Sequence, residues 1–211
     1  MKSIARHGVA APPARSARPC RLGLAALAAP WVFAGAAPAV AQPQTYQLDP
    51  AHSWVHFEVL HFGTSTIRGR IGPVKGSVRL EPSVGRGEVS LAVPTASVST
   101  GIGFFDARLR QADLLASDEH PEAYFVATRF SFEGERVVSV RGEFTWRGAS
   151  QPLTLNALRY ACRSDTTAAK PVQVCGGDFE GELLRSDFGA TFGLPFVANR
   201  VRLLVQVEGR R

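Results

Sequence analysis

Eight stretches of this chain alternate apolar and polar residues with a period of two, and no other feature restricts the fold as strongly. The run 53–62 (SWVHFEVLHF) places Val55, Phe57, Val59 and His61 on one face and Trp54, His56 and Glu58 on the other, because successive side chains of a strand point to opposite faces. The pattern recurs at 74–80, 88–93, 123–132, 137–146, 153–160, 179–184 and 201–207. Short turns such as Glu133-Gly134-Glu135 and Arg147-Gly148-Ala149 join several of these runs, so an antiparallel meander is expected. Nothing alternates strand with helix in the manner of a parallel sheet. Eight antiparallel strands can close into a barrel, which removes exposed edges, or stack as a sandwich. Periodicity does not separate the two. Phe57, Phe125, Phe144, Trp146 and Phe179 share the apolar face with aliphatic neighbours, and an eight-stranded barrel can either fill itself or hold one small apolar ligand.

One segment breaks the pattern. Between Thr100 and Pro121, Phe105, Leu109 and Ala112 recur at helical spacing, and Asp106 is placed to pair with Arg110 one turn on. Thr100 reads as the N-cap and Pro121 as the stop, while Gly101 and Gly103 move the expected start to near Phe104. Such a lone helical insert is either a surface helix packed on a rim or a cap over an apolar mouth. Both readings expect Leu109 to be buried.

Residues 1–41 read as a cleaved secretory signal and are set apart from the fold. Lys2, Arg6, Arg15, Arg18 and Arg21 come without any acid, an Ala-rich apolar run follows, and Ala39-Val40-Ala41 supplies the small-residue cleavage pattern. The run is shorter than the roughly 20 residues of a membrane-spanning helix and is broken by Pro30 and Pro38, so no stable membrane anchor is expected. The formal charge of +6 also resides largely in this leader. Without it, nineteen Lys and Arg face eighteen acids with no basic run, which argues against a nucleic-acid partner. Export agrees with the cysteines. Cys20 falls in the leader, and Cys162 and Cys175 are expected to form one disulfide in an oxidising compartment. Residues 42–211 remain, enough for a single domain with a sizeable core.

The order of several short blocks resembles that of the YceI-like family. They are Asp49-x-x-His52-Ser53, His61-Phe62-Gly63, Asp106-x-Arg108-Leu109-Arg110-x-x-Asp113 with Pro121, Gly142-Glu143-Phe144-Thr145, Pro152-Leu153-Thr154-Leu155 and Ser186-Asp187-Phe188-Gly189. The likeness covers essentially all of 44–209. It implies an all-β, lipocalin-like antiparallel eight-stranded barrel with one short helical insert, working in the periplasm and often as a homodimer. Its interior would hold a long apolar chain: a polyprenyl lipid, an isoprenoid quinone, a fatty acid or a fatty amide. No cofactor beyond such a lipid is implied. The chain departs from the family pattern at Phe104 and Phe105, where polar residues are usual, at Leu114, where Phe is common, and at Arg108, where His is common. Only some members carry the cysteine pair.

The residues expected to contact the ligand are Phe57, Val59, His61, Phe104, Phe105, Leu109, Arg110, Leu114, Phe125 and Phe144. His61, Arg108 and Arg110 would provide donors for a carbonyl or anionic head group. The plainer alternatives are a core histidine bonded to a backbone carbonyl and arginines paired with Asp106 and Asp113. Catalysis is not expected. His52 and His56 lie on the strand face opposite His61, no carboxylate cluster completes a metal set, and no G-x-S-x-G elbow exists. A metal-dependent hydrolase is therefore the weakest reading, behind a structural or stress-associated envelope protein with a filled barrel.

Overall fold

A computed structural model describes residues 42–211 except 168 and 169; the expected leader, 1–41, lies outside the described residues. Ten strands form one antiparallel sheet: β1 (Gln44–Leu48), β2 (Trp54–His61), β3 (Ser65–Ile71), β4 (Lys75–Glu81), β5 (Arg86–Pro94), β6 (Glu122–Glu133), β7 (Arg136–Trp146), β8 (Ala149–Asp165), β9 (Val172–Leu184) and β10 (Arg200–Arg210). Two of them, β1 and β3, are absent from the alternation pattern. The barrel nevertheless has eight staves. β1 and β2 follow one another along the same edge of β10, with Leu48 opposite Gly209 and Gln206 opposite Trp54. β3 and β4 pair in turn with β2 and β1. The first stave kinks at 49–53, where the Asp49 carboxylate caps a 3-10 turn, and the second at Gly72–Val74. Every other neighbour is consecutive in sequence, and β10 returns to β1 and β2 to close the ring.

Why β3 escaped is visible in its inward residue Gly69. A Cβ there would lie 2.4 Å from the Phe57 ring, which occupies the glycine's place on the apolar face. β1 is simply short, with Tyr46 as its one buried side chain. Bulges explain where inward parity changes along β6 and β8. The register slips between Ala127 and Arg129, so Ala123, Phe125 and Ala127 point inward before the slip and Phe130 and Phe132 pack against the core after it. A second slip between Ala157 and Arg159 leaves Leu158 exposed, as expected when an extra residue enters one strand.

The long β8–β9 hairpin carries the expected disulfide, with Cys162 directly opposite Cys175 and an S–S distance of 2.02 Å. Closing a loop of 13 residues removes denatured-state entropy worth about 3 kcal/mol. Replacing both cysteines by Ser is expected to lower the unfolding free energy by about that amount. Urea titration checks it, and an unchanged midpoint at unchanged slope would contradict it.

The insert is shorter than its sequence suggests. Helix α1 spans Gly103–Leu109, with Ile102 as N-cap in place of Thr100. Asp106 does not rely on Arg110; its carboxylate accepts from both the backbone N–H and the hydroxyl of Thr100, at 2.6 and 2.7 Å. Ala112 falls beyond the helix because the chain doubles back. The N–H groups of Leu115, Ala116 and Ser117 take the carbonyls of Leu109, Gln111 and Arg110, consuming acceptors that a continuing helix would need. Ala116 makes this turn at φ 51°.

Candidate functional site

The inward faces of the staves do not fill the ring. A cavity of about 160 Å³ lies toward the insert end, and its wall includes Phe57 and Val59 from β2, Phe125 from β6 and Phe144 from β7. The insert supplies Leu109, Leu114 and Leu115, so it sits over the space as a cap, and Leu109 is half-buried against the core. A second cavity of about 70 Å³ lies toward the disulfide end, among Tyr46, Phe130, Tyr160, Cys175 and Phe179. Leu91, Phe125, Leu155 and Val205 line both and form a waist between them. Carbon-lined space of the larger cavity's size stays dry and accepts a guest comparable to benzene. Burial pushes the Tyr160 phenol up to about 12, so at the far end it stays neutral and offers only a hydroxyl.

Six of the ten sequence-expected contacts are therefore brought together: Phe57, Val59, Leu109, Leu114, Phe125 and Phe144. The other four stand elsewhere at the insert end. His61 lies edge-on to Phe62 with ring centroids 4.6 Å apart, and its backbone bridges to Val197. Phe104 points away from the cavity and is 76% exposed, with Phe105 beside it. Arg110 is exposed. Arg108 is engaged, making two 2.7 Å bonds to Asp113 and lying 3.9 Å over the Phe192 ring. That contact holds the Asp113 carboxyl below its ordinary range and raises Arg108. Asp106 is lowered by its two bonds from Thr100.

Two arginines outside the expected set latch this end. Arg147, in the β7–β8 turn with φ 51°, donates to the carbonyls of Ala112, Leu114 and Phe188. It thereby ties the insert and the 185–190 segment to one rim. Trp146 adds an indole N–H bond to the Leu115 carbonyl. Arg185 is 5% exposed and donates to four carbonyls, those of Ala190, Phe192, Val197 and Ala198. Burial lowers its guanidinium pKa, and among the described residues no carboxylate pairs with it, so the four carbonyl dipoles carry the charge. A bond to a charged donor contributes about 1.5–3 kcal/mol, so displacing the cap breaks several strong contacts at once. One signal for Arg185 existed: it continues the inward parity of Phe179, Gly181 and Leu183.

The wall of the barrel is uneven at this level. The β8–β9 ladder stops at Asn156 opposite Glu180, although β8 begins at Ala149 and β9 runs to Leu184. On their other sides both strands stay paired, β8 to β7 and β9 to β10. Pro152, in this stretch, has no N–H to give. An outer groove of about 310 Å³ occupies the seam and shares Phe144, Leu153 and Leu183 with the inner cavity. Among the described residues, no group of three or more His, Cys, Asp or Glu is arranged to hold a metal ion, and no helix is long and apolar enough to cross a membrane.

A closed eight-stave barrel around carbon-lined space, capped by a short helical insert, has the lipocalin-like architecture. The sequence model of the YceI-like domain matches residues 46–209, and the chain belongs to that family. It is 28% identical over 172 residues to Protein YceI of Shigella flexneri, spanning 81% of this chain and 88% of that one. Among solved structures, BcnA of Burkholderia cenocepacia superposes with a TM-score of 0.61 at 19% identity, covering 76% of this chain and 98% of that one. A polyisoprenoid binding domain from Saccharophagus degradans superposes with a TM-score of 0.53 at 17% identity, covering 78% and 97%. At these identities the two structures speak to the fold.

Proposed function

We propose that the protein is a non-catalytic carrier that holds the apolar chain of a lipid inside the barrel, in the periplasm. One observation carries this reading: a closed barrel encloses, beneath the insert, a cavity walled largely by Val, Leu and Phe. Such a wall favours alkyl or prenyl chains at roughly 0.8 kcal/mol for each CH₂ removed from water and needs few polar contacts. The polyisoprenoid-binding relative supports a prenyl chain, and quinone or fatty tails share its chemistry. Periplasmic residence draws on the leader-like 1–41 and on the disulfide. The cavity is small for a whole lipid, which favours, as the second reading, an envelope protein with a nearly filled barrel. Organic extraction of protein purified from its native host, followed by mass spectrometry, separates the two. A hydrophobic compound at about one per chain is the expected result. A clean extract, from protein that also refuses added lipids, would leave the filled barrel standing.

A further inference from the structure

We infer that an apolar chain enters the barrel sideways, through the seam between β8 and β9, and not past the insert; the inference rests on the carrier reading above. The ladder ends at Asn156 and Glu180, and the two strands beyond it are each held only from the far side. At the foot of the seam the strands still touch, since a Cβ on Gly181 would stand 2.8 Å from both Leu155 Cδ2 and the Thr154 carbonyl oxygen. At its head sits Phe188, against Phe144 and Trp146 at 5.5 and 5.4 Å. Between these limits the side chains of Phe144, Leu153 and Leu183 face the outer groove on one side and the cavity on the other. No backbone hydrogen bond need break for them to move aside.

The alternative way in is better defended. Raising the insert breaks the Arg147 bonds to Ala112 and Leu114 and the Trp146 bond to Leu115. The other seam at this end, between β3 and β5, is closed by reciprocal 2.9 Å bonds between Arg70 and Ser99. The outer groove also supplies what the cavity lacks. Gln151, Asp187 and the paired Glu182 and Arg200 line it, so a polar end can stay in contact with water and hydrogen-bonding groups while the tail lies inside.

Continuing the register would set Thr154 opposite Glu182, both pointing outward. A Thr154→Cys/Glu182→Cys staple therefore closes the seam without entering the cavity, and Thr154→Ser/Glu182→Ser is its uncrosslinked control. Stopped-flow uptake of dansyl-labelled undecanoic acid is expected to slow roughly tenfold or more in the stapled protein relative to the uncrosslinked control, which lacks Glu182 equally. As an independent arm, Leu183→Ala widens the partition and is expected to speed uptake several-fold. Equal rates in stapled and control proteins, or an unaltered rate in Leu183→Ala, would overturn the portal. Wild-type protein that shows no binding amplitude would remove the carrier reading itself, a separate failure read from amplitude and not from rate.

Discussion

Arg185→Met is expected to lower the unfolding free energy by about 4 kcal/mol, because four carbonyls lose their shared charged donor. Methionine approximates the volume of the stem, so the loss reports the hydrogen bonds more than the packing. Hydrogen exchange should show where it falls. Amides of 185–199 are expected to lose protection first, while those around the Cys162–Cys175 end keep theirs. Arg185→Lys restores the charge but not the planar fork, and is expected to recover less than half of the loss. A change below about 1 kcal/mol in the Met variant would show that water replaces the guanidinium. The charge would then be incidental to the fold.

Phe125→Ala is the second large effect, and it couples stability to function. Phe125 lines both cavities and is buried, so its truncation is expected to destabilise the protein by about 3–5 kcal/mol. The same change merges the two chambers into one longer space. Calorimetry with a series of straight-chain carboxylates should detect this. Each added CH₂ contributes roughly 0.8 kcal/mol until the tail meets the end of its space. The wild-type series is expected to level off at a shorter chain than the variant series. Identical plateaus would mean that the chambers do not communicate through the waist.

Much of the architecture was legible because burial in a small barrel imposes parity. Phe57, Phe125 and Leu203 could hardly alternate as they do without one face turned inward, and the family blocks then chose a barrel over a sandwich. The sequence obscured what glycine and bulges conceal. Gly69 leaves a blank at an inward position that Phe57 fills from the next strand, so β3 looks patternless. The bulges in β6 and β8 reverse parity within a strand, which a single period cannot express. At the site, the apolar wall followed from the same parity, whereas the polar expectations depended on tertiary neighbours. Arg108 is spent on Asp113 and Phe192, Asp106 on Thr100, and Arg147 and Arg185 on carbonyls that only the folded chain brings near. Helical spacing likewise ran on to Ala112 because nothing local announces that Leu115 and Ser117 will turn back and claim the helix's last acceptors.

The ring closes by joining its beginning to its end. β10, the last strand, pairs along β1 and β2, setting Val205 against Val55 and Arg210 against Gln47. A chain that emerges N-terminus first can zip β4 through β9 as successive hairpins, but it cannot seal its wall until Arg200–Arg210 arrives. Until then the edges of β9 and of β2 stand open, and their inward leucines and valines face water. Contacts between residues so far apart in sequence are costly to form early. Synthesis and completion are therefore separated in time, and in that interval the unpaired strand edges are the part of the chain most open to wrong association.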